Sequence, residues 1–402
     1  MSYWKDDPSP QTASIISALE DLEFKYEEPM RRVAGEEKEE LTEGDLETKN
    51  ALLTRLKSIL LPSLRNHLSS YLTALDIKDG PKPNYPNPNL DLFPEILSKL
   101  DQTLDETEEC IHSATLNIIP IGTHDHQLRQ FKNFRCTQLM SSISHYAKDF
   151  RMMFMVSRMF IRASQDLINH PEDAECQDKM LTWKMDVTRG KAICNISIAK
   201  TVDIFQGSDF EIIQDEWQKK EKSLDDLIRS LTEIMRFPAS LWGRGTHSAV
   251  DKQVIELAKL TLPLSKLARM FYREFSKSSR QKLPFKLDTE LNSETLFQLF
   301  RTIDVVTVSF RALIGVFTDS YNGGSLVEHQ TSIRSQIQKI SQTLESTLLL
   351  LAIYLIPLPS GTKPLALGNQ YKARFAAWQE VWHRAIDNFL TTLERSVGHH
   401  HH

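Results

Sequence analysis

The stretch LESTLLLLAIYLIP, Leu344 to Pro357, is the most apolar in the chain, and its reading decides the fold. Its unbroken apolar run, Leu348 to Ile356, is nine residues long. A helix that crosses a bilayer needs about 20. A helix that is apolar on every side and not in lipid belongs inside a protein core. The stretch therefore predicts a buried helix and a helical interior large enough to enclose it.

The rest of the chain agrees. It has 402 residues, 41% apolar and 25% charged, the usual balance for a protein with a buried core. Only 14 glycines are present, which disfavours many-turned β folds and glycine-rich nucleotide loops. A net charge of −5 gives no general attraction to nucleic acid or anionic membrane. Working back from the apolar run, Ser325 to Ile356 reads as one helix. Asn322-Gly323-Gly324 ends the helix before it, which Thr289 or Asn292 caps. VVTVSF, 305–310, fits a buried part of that helix. Lys282 to Asp288 reads as a loop and Val250 to Ser276 as a helix. After the Pro/Gly loop Pro357–Leu367, the last helix runs from Gln370 to Ser396 with Phe375, Trp378, Trp382, Ile386 and Phe389 inward.

The first half repeats the pattern. Helices are expected over 10–34, over Leu46 to Ile77 with a kink or restart at Pro62, and from Pro94 to about Ile119. Two more follow, over 125–169 and 173–206, and then Phe210 to Phe237 with Ile213, Trp217, Leu224, Leu227, Leu231 and Ile234 as its core face. DGPKPNYPNPN, 79–89, is a loop. The spacing predicts an all-α, elongated bundle of long antiparallel helices, roughly ten of them. PASLWGRGTHS, 238–248, is the expected linker, with helical bundles at 1–237 and 249–397. Residues 398–402, glycine and four histidines, read as an affinity-tag remnant and take no part in metal arguments.

The residues offer little chemistry. There is no GxSxG, HExxH or DxDxDG pattern. Trp242-Gly243-Arg244-Gly245-Thr246-His247-Ser248 lacks both the lysine and the spacing of glycine-rich phosphate loops. In His124-Asp125-His126, Asp125 reads as a helix cap and not a metal ligand. Met152, Met153, Met155 and Met159 read as core filling, with Arg151, Arg158 and Arg162 on an exposed edge. Cys110, Cys136, Cys176 and Cys194 are not in CxxC spacing. Buried thiols are the expectation, with disulfides left open. Asn195-Ile196-Ser197 is a lone glycosylation sequon inside a helical pattern. No catalytic, cofactor or metal residues are assigned, and the chain is expected not to be an enzyme. Binding is expected at aromatic and arginine residues of inter-helix loops: Tyr85, Trp242, Arg244 and Tyr321.

Two resemblances add to this. LLPSLRNHLSSYLTALD (60–76), LDLFPEILSKLDQTLDETEECI (90–111) and HDHQLRQFKNFR (124–135) are similar to a large family of helical proteins of rust fungi. Many of its members are secreted, and some are candidate effectors delivered into plant cells. ELAKLTLPLSKLARMFYREFS (256–276) and YKARFAAWQEVWHRAIDNFL (371–390) resemble the cyclin-D-binding helical proteins. The first resemblance implies a secreted effector or avirulence protein that binds a host plant protein in the host cytoplasm and is recognisable by a plant immune receptor. It also implies a leader upstream of Met1. The second implies an adaptor in the fungal cytoplasm or nucleus. Neither implies a cofactor, a nucleic-acid partner or a membrane, and the oligomeric state stays open.

Overall fold

Short polar signals start and stop the helices. In a computed structural model, the described residues are 4, 6–27, 42–77, 86–115, 125–236, 249–276, 285–321, 326–357 and 364–398. They form eleven α-helices and one two-stranded ribbon, so the fold is all-α. The chain divides into two compact units, Met1–Gly207 and Ser208–His402.

The first unit contains α1 (Pro10–Lys25), α2 (Glu43–Arg55), α3 (Leu61–Ala74), α4 (Phe93–Thr115), α5 (Asn133–Asn169) and α6 (Ala174–Gln206). Ser9 caps α1, and Pro10 takes the first helical position, where its missing N–H costs nothing. Thr42 and Asp45 form a reciprocal capping box at α2. A π-turn over Leu56–Leu60 joins α2 to α3, and Pro62 sits in the first turn of α3. The kink or restart expected at Pro62 takes the form of this widened turn just before it, with helical backbone at Leu56, Leu60 and Leu61. The helix expected from Asp125 begins at Asn133 instead. A 3-10 turn over Asp125–Phe131 precedes it, and Arg129 there has φ 49. α5 has 37 residues, about 55 Å at 1.5 Å per residue, and packs along α6. The close approach falls at Gly190, where an added Cβ would lie 3.4 Å from Met153 Cγ. α1 lies along α5, while α2 and α3 pack on α4.

The second unit contains α7 (Asp209–Arg236), α8 (Ala249–Phe275), α9 (Ser293–Tyr321), α10 (Leu326–Tyr354) and α11 (Pro364–Gly398). The 238–248 linker lies outside the described residues, but the units part about thirty residues before it, at Gly207–Ser208. The reason is the apolar face of α7. Phe210, Ile213, Trp217, Leu224, Leu227 and Leu231 are buried, and α7 packs on α8 and α9. Trp217 Nε1 donates to Leu299 O at 3.1 Å, which fixes α7 to α9. The boundary has its own signal. Gly207 ends α6, and Ser208 and Glu211 form a capping box that opens α7.

Asn292 caps α9 as expected, accepting from Thr295 N at 3.0 Å. The apolar run departs from expectation at its end. Leu355–Pro357 forms β2, paired antiparallel with β1, Phe285–Leu287, in the register Lys286 opposite Ile356. Asp288 N donates to Tyr354 O at 2.8 Å, closing the ribbon onto the end of α10.

Candidate functional site

Of the four residues expected to bind a partner, Tyr85, Trp242 and Arg244 lie outside the described residues. Tyr321 is the last residue of α9, and only its backbone is described. These four are not brought together by any described contact. Asp125 is buried and accepts from Asn133 N at 2.8 Å, so it holds the start of α5 from eight residues upstream. Among the described residues, no three histidines, cysteines or carboxylates converge as a metal site.

The densest titratable cluster is the seam where α1 meets α4 and α5. Lys25 bridges Asp101 and Asp105, both at 2.7 Å, and Tyr26 donates to Asp101 at 2.9 Å. Asp101, Asp105, Glu108 and His112 follow each other at helical spacing on α4. Burial and the two aspartates push the Tyr26 phenol far above its ordinary value. Burial and Asp105 raise Glu108, against the opposing pull of Lys25. Burial lowers His112, disfavouring its charged ring. Tyr146 is wholly buried, and its hydroxyl finds no partner among the described residues. The seam holds no poised base beside a nucleophile. Asp101 and Asp105 are tied to Lys25 and Tyr26, and what the seam does is clamp α1.

The cysteines fit that picture. All four are buried and unpaired among the described residues. Burial raises Cys110 and Cys194 and pushes Cys136 up to about 12, so these thiols stay protonated and unreactive. Cys110 Sγ is engaged by Leu52 O at 3.2 Å.

The methionine run is divided between core and surface. Met153 is fully buried against Gly190, while Met152 is half exposed. The arginines beside it are not a bare edge. Arg158 pairs with Glu20 and Glu23, both at 2.8 Å, and Arg151 pairs with Glu27 at 2.8 Å. Arg162 is buried, with its guanidinium carbon 5.8 Å from the Trp4 ring centre.

Two exposed apolar stripes remain without such partners. On α6, Met185 is 65% exposed, Ile193 41% and Ile196 53%. Exposed Arg189, Ala192 and Lys200 continue the same helical face. This face is offset from the buried one of Met180, Val187, Cys194 and Ile198, so its apolar character is not overflow from the core. Ser197 of the sequon is buried and donates to Asp149. On α10 and β2, Leu349 and Ile353 are each 60% exposed and Ile356 38%. The expectation that this run is buried all round is therefore corrected. Leu344, Thr347, Leu348 and Leu351 face the core, and the opposite side faces out. Sequence reasoning missed both stripes. The α6 stripe was legible as a second 3–4 spacing; the α10 stripe was hidden because every face of that run is apolar.

Comparison with known families divides the chain as the fold does. Residues 49–206 match a family described as a domain of unknown function (DUF8723). Residues 208–391 match a second domain of unknown function (DUF8721). The join between the two matches falls at Gly207, the boundary of the two compact units. Helix α1 precedes the first matched region. No curated protein matches the chain.

Proposed function

We propose that this chain is a protein-binding effector of a plant pathogen, secreted by a rust fungus and acting in the host cytoplasm on a host plant protein. In this reading a plant immune receptor recognises the same surface. The observation that supports binding over chemistry is the α6 stripe. Met185, Ile193 and Ile196 stay in water on a unit whose other helix seams are closed by buried leucines and ion pairs. Exposed apolar side chains at helical spacing, with Lys200 alongside and Arg189 beside Asp186 at 3.8 Å, suit the apolar face of an amphipathic helix. Four unpaired buried thiols are compatible with a reducing cytosol. The effector role itself rests on the resemblance to the rust-fungus proteins.

The test is expression of the chain inside leaf cells of a panel of rust-resistant plant lines. Cell death in a responding line is expected, with co-purification of its receptor, and Ile193→Asp with Ile196→Asp abolishes both while the helical circular-dichroism spectrum is retained. If no line responds and no plant protein co-purifies, the effector reading fails. Recovery of a fungal nuclear partner instead moves the function to the adaptor class.

A further inference from the structure

The residues before α1 lie on the end of α5 as a bound peptide would. Ser9 has φ −58 and ψ 154, extended backbone just ahead of the helix. Side chains of α5 hold this stretch. Gln165 grips its backbone with one carboxamide: Nε2 donates to Asp7 O at 3.2 Å, and Oε1 accepts from Ser9 N at 3.1 Å. Such a grip is blind to side chains and fits any extended segment. Two side chains of the stretch are recognised as well. Asp6 Oδ2 accepts from Asn169 Nδ2 at 2.9 Å and lies 3.0 Å from His170 Nε2. The Asn169 bond, opposed by desolvation and joined by His170 and Arg162, holds the Asp6 carboxyl below its ordinary value. The Trp4 ring is half-buried, with Arg162 Cζ 5.8 Å and Lys179 Nζ 6.0 Å from its centre. Lys179 also pairs with Glu175 at 2.8 Å. Arg162, Gln165 and Asn169 follow at steps of three and four, so they share one face of α5.

Three observations mark the stretch as a replaceable occupant. The residues that hold it all lie within 49–206, the matched domain of unknown function, and the stretch itself does not. Its polar anchors are open to water, with the Asp6 and His170 side chains 40% and 41% exposed, and pairs of that kind are weak. The fit is also incomplete. Arg162 is buried, and its Nη1 has no hydrogen-bond partner among the described residues. A buried guanidinium N–H without an acceptor is costly, so an incoming segment that supplies one gains what the chain's own residues do not. We infer that this end of α5, with Lys179 of α6, is a peptide-binding site that Trp4, Asp6, Asp7 and Ser9 hold closed and that a partner's segment of the same chemistry takes over. That segment is extended, carries an aromatic side chain two places before a carboxylate, and brings a further acceptor for Arg162. The inference is independent of the α6 stripe and of the effector reading.

A fluorescein-labelled peptide of residues 2–9, SYWKDDPS, is the probe, and fluorescence anisotropy reads its binding to the full chain. Trp4→Ala with Asp6→Asn empties the site. This variant should bind the probe at least about tenfold more tightly than the unaltered chain, whose own segment competes at an effective concentration of about a millimolar. A probe carrying the same two substitutions should not bind. Asn169 is exposed, so Asn169→Asp leaves the fold intact while setting a carboxylate against Asp6. In the otherwise unaltered chain it should free the site, refuse the probe and bind the probe with Asp6→Lys instead. A merely structural role for Asn169 would not reverse the preference. Far-UV circular dichroism verifies that both variants keep their helices. Equal binding by the unaltered and emptied chains, or an Asn169→Asp chain that does not prefer the Asp6→Lys probe, overturns the inference. A dimer of the unaltered chain that Trp4→Ala abolishes assigns the site to the segment of a second copy and overturns it equally.

Discussion

The two units close a terminal helix by the same means in different proportion. In the first, α1 lies on α5 with four large side chains inward, Ile15, Leu19, Leu22 and Tyr26, and a rim of ion pairs around them. Glu20 and Glu23 meet Arg158, Glu27 meets Arg151, and Lys25 meets two aspartates of α4. In the second, α11 is fixed to α8 by a run of aromatic rings, with ion pairs of Arg374 to Glu274 on α8 and of Glu394 to Arg334 and His383 to Glu345 on α10. Phe271 packs on Trp378 at 5.1 Å, Phe275 stacks on Phe375 at 5.2 Å, and Trp378 stacks on Trp382 at 5.4 Å. Trp378 Nε1 also donates to Leu267 O, and Trp382 Nε1 to Ser341 Oγ. Half-exposed ion pairs are worth little each and are screened by salt. Buried rings are worth several times more and are indifferent to salt. The comparison teaches that both helices are seated on buried apolar side chains, and that the rim around α1 depends more on charge than the seam of α11 does.

The largest effect that would break this contrast is at Trp382, which is 1% exposed. Trp382→Ala is expected to cost the second unit about 3–5 kcal/mol, the usual loss for a large buried aromatic. Hydrogen exchange should rise in α10 and α11 while α5 and α6 keep their protection. A loss below about 1 kcal/mol would mean that the ring run does not carry the seam. Next comes Arg158→Ala, expected at about 1 kcal/mol because one guanidinium serves two glutamates on α1. Exchange in α1 alone should rise, and sodium chloride should reproduce part of that rise in the unaltered chain. If salt loosens α11 as much as α1, the distinction between the seams is lost.

The helices were legible because 3–4 spacing is written locally. Asn292 as a cap, the irregularity at Pro62 and the inward Trp382 and Phe389 all follow from neighbours within two turns. The unit boundary was legible in principle, since Ser208 and Glu211 form a capping box after Gly207. The larger Pro/Gly break at 238–248 outweighed that signal, because sequence shows that a helix starts but not which body it joins. The ion pairs that hold α1 are 76 to 138 residues apart, so no local pattern could find them. At Leu348–Ile356 periodicity fails for a physical reason. A run apolar on every face looks the same whether it is enclosed or half exposed, and only packing shows that Leu349 and Ile353 face out. The expected binding residues were chosen for exposed loops, and three of the four fall where the structure is not described.

A smaller change sharpens the contrast from the side of the second unit. Gly315 lies inside α9, where an added Cβ would meet nothing within 4 Å. Gly315→Ala is therefore expected to stabilise the second unit by about 0.5–1 kcal/mol through helix propensity alone. Thermal unfolding reads it. At Gly190 the same substitution meets Met153 at ordinary contact distance, whereas Gly190→Leu should force α5 and α6 apart.

The smallest expected effect tests the polar seam itself. Glu108 faces Asp105 and His112 on its own helix, Lys25 on α1 and the Tyr146 hydroxyl on α5. Burial, with Asp105, raises its folded value above the unfolded one, so the fold favours the protonated acid. Glu108 thus supports the fold most fully below the ordinary glutamate range, and that support is lost as pH rises through its folded value. Glu108→Gln mimics the protonated form at every pH. The variant is expected to be the more stable of the two at neutral pH, with the gap closing as pH falls below the ordinary glutamate range. Urea unfolding followed across that span measures it. A gap that stays constant with pH would show that Glu108 is as well solvated in the fold as in the open chain, and that the α1 seam, unlike the ring run beside α11, excludes no water from its charges.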